Sequence, residues 1–552
     1  AAAPAREAPG DVATGWVQLT KQVMLVAMPN IGSNVLLLAN EQINAILLGR
    51  TSSSASLAAV GLGNMMQNCL GLSIGWGILA ALDSLVSQAY GAGNQEVACA
   101  HFQRGRFIAT LQLVWIIPTL LSSERLLLAL GQGTEVSMLA AAYNRATAPA
   151  LFCLFQYQAL AKFLQNQCMT TPPLIINIIT SLLHVGWCTF FVAKLGLGNT
   201  GAGYANAMTW TTQWFLISLY VMRIAPKLGM SRRDVFLPGK GTFQEWGKYL
   251  KIAVPCVLQM SSEWWFWEIN ALLVGFLGTV PLAAHVAANQ FIGLSFMPAM
   301  GISSAAAALI GNMLGANRPT DARRYVKVCI FCNFLVWLTI GIGVLFGRHA
   351  VASMYVRPGE VSVLVQSLLV IFAFAGFPDT TQHIMSGALR GMGKMAAGSV
   401  VYLLSYYGLM LPTGYALAFK FGYGVRGVWY AFGIGTSTVF SAKPGSGLTT
   451  AWDLTQEVLG AEEGGVEFDN YGGEYGHVAQ SILGEPNAVD GSWFWALYAY
   501  GSFTQEWLRA PSSVDTTDLD TFPHIAWVAF RTESGFVEVW AKVSLRRFTL
   551  KS

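Results

Sequence analysis

The chain has 552 residues, 54% of them hydrophobic and 11% charged, against about 25% charged in soluble domains, which excludes an ordinary soluble protein. The net charge of +4 hides a contrast: residues 441–552 hold 15 acidic and 7 basic side chains, which out of totals of 29 and 33 leaves 14 acidic and 26 basic for residues 1–440. The first 440 residues therefore read as a sparsely charged, net basic membrane body. Its Lys and Arg belong in loops facing anionic lipid rather than on a nucleic-acid surface.

The chain opens AAAPAREAPGDVATG without an initiator Met. Residues 1–15 are expected to be a disordered leader, of the composition of a transit-peptide remnant. Twelve apolar runs then approach the roughly 20 residues that a spanning helix needs: 21–48, 57–88, 101–122, 136–163, 172–194, 201–223, 249–277, 280–313, 325–346, 362–388, 396–419 and 424–440. The twelfth, GVRGVWYAFGIGTSTVF, has 17 residues and sits at the lower limit. Residues 227–248 (KLGMSRRDVFLPGKGTFQEWGK) form the one long polar stretch within the body and read as a linker between 16–226 and 249–440.

These two halves repeat each other. Pro29 pairs with Pro255, Asn44 with Asn270, Leu57-Ala58-Ala59 with Leu282-Ala283-Ala284, Leu164 with Leu389, and Gly201 with Gly427. Lys194-Leu195-Gly196-Leu197-Gly198 pairs with Lys420-Phe421-Gly422-Tyr423-Gly424. The near-constant offset of about 225 residues, not any single match, marks a duplication. Duplicated membrane proteins are mostly transporters, with the substrate site between the repeats near the midplane. Lys and Arg collect in the loops after even-numbered spans, among them Arg104, Arg106, Lys162, Arg232, Arg233, Arg324 and Arg390. That side is expected to be cytosolic or stromal.

All eight cysteines lie between Cys69 and Cys332. None has metal-ligand spacing, and Cys329 and Cys332 read as small hydrophobes on an apolar helix. No nucleophile–base pair, phosphate-binding glycine loop or metal cluster is legible, so neither an enzyme nor a cofactor is expected.

The acids within the spans carry the functional signal. Glu263 lies 12 residues past Lys251, and Asp379 lies 11 residues before Arg390. At 1.5 Å per residue these are heights of roughly 18 and 16 Å, near the middle of a core about 30 Å thick. Low dielectric disfavours a charged carboxyl, so a proton can hold such a pair on one side of the membrane and a cation on the other. An intramembrane acid is a functional site by default; the alternative is a carboxyl satisfied by backbone or water. Pro378 removes a backbone donor beside Asp379 and frees carbonyls to line a cavity. Glu268, about 140° round the helix from Glu263, is a gate or rim residue. Trp264 to Trp267 offer an aromatic wall for organic cations, with Trp264 the cleft candidate. His383, one turn from Asp379, is a proton relay or a satisfied helix histidine. Asp83 suits helix-terminal packing or gating, and Glu41 and His285 are expected near the outer surface, solvated.

The runs LDSLVSQAYGA…QR, SSEWWFWEINALLVGFLG, MPAMGISSAAAALIGNMLGANRPTDARR and DTTQHIMSGALRGMGK together resemble the eukaryotic branch of the multidrug and toxin extrusion (MATE) transporters, over residues of about 16–440. The resemblance implies an all-α polytopic membrane protein with twelve transmembrane helices in two six-helix lobes, related by pseudo-twofold symmetry along the membrane normal. It also implies a central cleft open to one side at a time. It places proton coupling and substrate binding at Glu263 and Asp379. Asn289 stands where some animal members carry a further glutamate, and Asn44 where many prokaryotic members carry an aspartate; Trp264, Glu268, Asn289, His383 and Asn44 complete the candidate cleft.

Past Phe440, SAKPGSG (441–448 with the following residues) reads as a flexible joint. Residues 449–552 then read as a small soluble α+β domain: a Thr-capped helix in TTAWDLTQEVLG, then strands in VEFDNY, HVAQSILG, SWFWALYAY, HIAWVAF and FVEVWAKVSL. Residues 449–505, through YGHVAQSILGEPNA and GSWFWALYAYG, are similar to the C-terminal domain of cobalamin carriers, with Trp493 and Trp495 read as core.

The expected function is secondary active antiport, exporting organic cations or metabolites in exchange for protons by alternating access. Two alternatives stand: a lipid-linked saccharide flippase of the same superfamily, which would want a strongly basic cleft, and a membrane-tethered small-ligand binding module in the tail. The expected partners are a small organic solute, protons (sodium stays open) and the bilayer, with no nucleic acid and the chain a monomer. The expected site is a plasma or vacuolar membrane or a plastid envelope.

Overall fold

A computed structural model describes residues 15–51, 54–441, 527–531 and 537–541. The expected leader, the joint and the likeness to cobalamin carriers over 449–505 lie outside the described residues. In chain order the helices are α1 (Trp16–Thr51), α2 (Ser54–Gln67), α3 (Ser73–Ala80), α4 (Leu82–Gly91), α5 (Gln95–Leu111), α6 (Leu113–Leu121), α7 (Ser123–Ala129), α8 (Thr134–Thr147), α9 (Leu151–Asn166), α10 (Thr171–Cys188) and α11 (Gly198–Ile224). After the linker come α12 (Trp246–Gly275), α13 (Thr279–Gly315), α14 (Pro319–Tyr355), α15 (Glu360–Met392), α16 (Met395–Leu403), α17 (Leu411–Tyr415) and α18 (Val425–Ser441).

The chain is an all-α, multi-pass integral membrane body, but the expectation of twelve spanning helices in two six-helix lobes is corrected. Among the described residues seven helices are long and apolar enough to cross a membrane, or eight if the bent pair Gln95–Leu121 and Ser123–Ala129 makes one span. The runs expected at 136–163, 201–223, 249–277 and 424–440 are not among them. The first is broken by a 3₁₀ turn at Ala148–Ala150, and α18 has only 17 residues. The polar start of α11, GNTGAGYANAMTWTTQW, dilutes its hydropathy, and α12 carries Lys248, Lys251, Glu263 and Glu268. Apolar residues counted by run are not the same as an uninterrupted apolar cylinder.

Nor are the two halves self-contained. Buried side chains form two large clusters. One runs mainly from Ala59 to Ala253; the other draws on Cys256 to Trp429 but also takes Leu19, Val23, Val26 and Ala27 of α1. α1 packs along α13 and α12 along α3, so the first helix of each half leans on the other half. Between helices in lipid there is little hydrophobic drive, and close approach of small residues does the work. The α13–α15 contact follows that rule: a Cβ on Gly387 would run into the peptide oxygen of Ser303, and one on Gly391 into that of Ala307.

The duplication is visible in backbone detail. Pro29 and Pro255 both lie inside the opening helix of their half. The π-helical turns Thr189–Lys194 and Ala416–Lys420 each run into a paired glycine turn. Gly196 and Gly198 have φ of 65° and 51°, and Gly422 and Gly424 have 74° and 57°. A side chain is strained at such angles, which is why the KLGLG and KFGYG spellings repeat.

The linker is docked rather than loose. Ser231 and Asp234 form a reciprocal cap. Arg106 donates to the carbonyls of Val235 at 2.5 Å and Leu237 at 3.2 Å, and Gln103 donates to that of Asp234. Arg104 and Arg106 are therefore buried in α5 and are not loop charges. The same correction holds for Lys162, which sits within α9, and for Arg390, which is 5% exposed in α15.

Beyond Ser441 the described residues are two strands, β1 (Trp527–Arg531) and β2 (Val537–Ala541), paired antiparallel. They fall within the expected HIAWVAF and FVEVWAKVSL strands. The small α+β domain expected over 449–552 is not seen among the described residues, which beyond Ser441 amount to this one pair of strands.

Candidate functional site

α15 positions the centre of the site. Asp379, Thr380, Thr381, Gln382 and His383 are five successive polar residues, and all five are buried. Five residues go once and more round a helix, so α15 is enclosed on every side, by α13, α14 and α18 along its length. Asn333 of α14 donates to Thr380 and Thr381 at 3.0 Å each.

Asp379 and Glu263 are brought together. Glu263 of α12 is half-buried, Asp379 is 7% exposed, and each carboxyl lies within Coulombic reach of the other. Arg390 is also within reach of Glu263. Tyr402 and Tyr406, four residues apart, lie within reach of both acids. Tyr402 donates to the Gln382 carbonyl, and the Gln382 amide donates to the Tyr406 hydroxyl, both at 3.3 Å. Phe266 packs on Tyr406 with ring centroids 4.7 Å apart. The acid pair thus sits in an aromatic and phenolic frame from α12, α15 and the α16–α17 segment. Sequence reasoning missed Gln382, Tyr402 and Tyr406. Their signals were the position of Gln382 three residues past Asp379 and the i, i+4 tyrosine spacing.

The aromatic run divides as a helix must divide four consecutive residues. Trp264 is half-buried and meets Trp76 of α3 edge-on at 4.9 Å. Trp265 is 42% exposed and donates to the Cys69 carbonyl at 3.0 Å. Phe266 is buried, and Trp267 packs on Phe432 at 5.0 Å. Glu268 is half-buried within reach of Cys69. His383 lies edge-on to Phe296 at 4.9 Å, and its Nδ1 is buried without a protein partner. Asn289 is half-buried; its amide nitrogen is 3.0 Å from Nε2 of His285. Glu41 is exposed. His285, expected to be solvated, is instead 1% exposed, held between Asn289 and the Trp429 indole N–H, which donates to Nδ1 at 3.1 Å. One apolar face of α18 supplies Trp429, which a reading of α13 alone does not reveal.

Asn44 is not part of this cluster. It is buried in the first half, donating to Asn206 at 2.9 Å and accepting from the Cys188 thiol at 2.9 Å. Asn206 donates onward to Tyr143, and Tyr143 to Asn64, both at 2.7 Å. Asp83, also buried, is the centre of an ion cluster with Lys162, 2.7 Å away, and Arg390, 3.1 Å away. Among the described residues no group of three or more His, Cys, Asp or Glu side chains is placed to hold a metal.

One family model, MatE, matches this chain twice, at residues 29–190 and 255–416. The two starts differ by 226 (255 minus 29), the offset of the internal repeat. Multidrug and toxin extrusion protein 2 of Mus musculus is 32% identical over 376 residues, 68% of this chain and 64% of its own length; the chain thus spans a little under two thirds of that relative. Protein DETOXIFICATION 16 of Arabidopsis thaliana is 30% identical over 443 residues, 78% of this chain and 90% of its own length. Among solved structures, the eukaryotic MATE transporter AtDTX14 is similar in fold with a TM-score of 0.72 at 23% identity, covering 81% of this chain and 95% of that one. The Vibrio cholerae MATE transporter VcmN in its bent form has a TM-score of 0.68 at 20% identity, covering 81% and 98%. The cobalamin-carrier likeness of residues 449–505 finds no support, and the second family match ends at residue 416. With both halves matched by the same family model, the chain belongs to the MatE family, the multidrug and toxin extrusion (MATE) proteins.

Proposed function

We propose that this chain is a secondary active transporter that exports organic cations or metabolites in exchange for protons, a carrier and not an enzyme. Glu263 and Asp379 carry the proton and, alternately, the cargo. The observation that supports this most is the nearness of two carboxyls, one buried and one half-buried, inside a frame of Tyr402, Tyr406 and Phe266. A carboxyl enclosed in low dielectric can hold a proton or pair with a cation. An organic cation that displaces the proton gains the same charge compensation, with the rings adding cation–π attraction. Asn289, His383, Trp264 and Glu268 are proposed cleft residues around the pair. Asn44 belongs to a neutral network in the first half and is not assigned to coupling. The flippase reading is disfavoured, because Lys162 and Arg390 are both held in ion pairs with Asp83 and Arg106 is taken up by linker carbonyls.

The test is transport by the full chain in liposomes. Organic-cation uptake into inside-acidic vesicles is expected, collapsing with an uncoupler and lost in Glu263→Gln and Asp379→Asn. Uptake that ignores the pH gradient, or that follows a sodium gradient instead, overturns proton coupling. The working reading of location is a plasma or vacuolar membrane or plastid envelope, with the chain acting as a monomer; imaging of a tagged chain and its mass in detergent decide these.

A further inference from the structure

Four helices, α4 and α9 from the first half and α13 and α15 from the second, end at one face of the molecule, and a buried charge cluster stitches them together there. Asp83 of α4 is 2% exposed and accepts from Lys162 of α9 at 2.7 and 2.8 Å and from Nε of Arg390 of α15 at 3.1 Å. Flanking it, Gln88 of α4 donates to the Gly391 carbonyl at 2.8 Å, and Asn312 of α13 to the Asn166 carbonyl at 3.2 Å. Every one of these contacts but Asp83–Lys162 joins the first half to the second.

The guanidinium of Arg390 uses all three nitrogens. While Nε faces Asp83, one terminal nitrogen donates to Ser386 and the other to Ser303, each at 2.9 Å. Ser386 also accepts from Gln259 of α12 at 2.7 Å, and Gln259 is one turn before Glu263. Ser303 donates to the His383 carbonyl at 2.8 Å, and His383 is one turn after Asp379. Two hydrogen-bonded branches therefore leave one side chain, and each ends a helical turn from one member of the acid pair.

We infer that Asp83, Lys162 and Arg390 form the latch that holds this face closed, and that Arg390, through Ser386–Gln259 and Ser303–His383, is the positioning residue that ties the latch to Glu263 and Asp379. The inference deepens the exchange mechanism proposed above and rests on it for the meaning of the coupling. Occupancy of the acid pair shifts α12 against α15, and a planar fork bonded to both branches and to Asp83 passes that shift to the face where the halves meet. A charge without the fork holds the latch but loses the wiring.

The test reads the inter-half distance directly. Spin labels are placed through genetically encoded ketone side chains at the exposed positions Ala92 and Ala396, on opposite halves of this face, in the full chain in lipid nanodiscs. Asp83→Asn is expected to raise the population of a longer distance by roughly 5- to 150-fold, the usual range of coupling between sites. Glu263→Gln is expected to shift the distribution at least about fivefold in the native background and not at all with Arg390→Lys, which keeps the short distance. Ser303→Ala with Ser386→Ala retains the latch charges, should Asp83→Asn fail to fold, and is expected to abolish the response to Glu263→Gln in the same way. An unchanged distribution in Asp83→Asn sinks the latch. A response to Glu263→Gln of equal size with Arg390→Lys, or none in the native background, sinks the wiring. These readouts involve no transported solute: if they hold while liposomes show no proton-driven uptake, it is the antiport reading that falls.

Discussion

Glu263 and Asp379 differ in how much of each is enclosed, and that difference sets their expected roles. Asp379, buried beside Pro378 on a helix surrounded by neighbours, is the less accessible acid and suits the proton. Glu263, half-buried, suits contact with cargo. Glu263→Gln and Asp379→Asn are each expected to cut gradient-driven uptake on the order of tenfold or more, equivalent to about 1.4 kcal/mol or more of lost coupling, with unchanged expression; radiolabelled uptake checks this. Asp83→Asn removes the anion between buried Arg390 and half-buried Lys162. Breaking a buried pair costs about 3–5 kcal/mol, to be discounted here because Lys162 is 23% exposed, and a lower thermal midpoint in detergent is expected. Arg145→Ala, which breaks the exposed pair with Glu124 at 2.7 Å, is expected to shift stability by about 0–1 kcal/mol. That both acids lie within long helices was legible in the sequence. The partners Tyr402 and Tyr406 were not, since they enter by rotation of the 395–410 segment, whose spelling shows no charge.

At the level of elements, the closest backbone approach of α3 to α12 across the halves is made at a small residue. A Cβ on Gly77 of α3 would collide with the backbone of Val257 on α12. Gly77→Val is therefore expected to push α12 away, at a cost of about 1–3 kcal/mol for overpacking, read as a lowered thermal midpoint and reduced transport. The linker makes a second test. Arg106 holds two of its carbonyls and Gln103 a third. Arg106→Ala is expected to speed limited proteolysis within residues 227–248 severalfold while leaving the helices intact. The linker's existence was legible in its polarity, but its docking was not. The same four-residue run, QRGR, reads as loop charge until α5 is seen to extend through it.

Over the whole molecule, the duplication makes two similar units, and the packing then interlocks them. Because α1 lies along α13 and α12 along α3, neither half has a complete core alone. Residues 249–441 expressed without the first half are expected to aggregate or to lose their thermal transition, with size-exclusion profiles as the check. Co-expression with residues 15–226 is expected to restore a monodisperse complex. An independently stable second half would mean that the interlocking contributes little.

Membrane character, internal repetition and family membership follow from the amino-acid order alone, because hydropathy and repeat offset are properties of a one-dimensional string. The number of helices that span was misjudged from that string, since apolar runs do not record the breaks at Ala148–Ala150 or the charges on α12. Only the folded molecule decided which charges turn inward. Asp83 meets Lys162 from 79 residues away and Arg390 from 307, and His285 meets Trp429 across 144. Contacts over such separations are set by how helices rotate and pack against one another, and no local pattern encodes that.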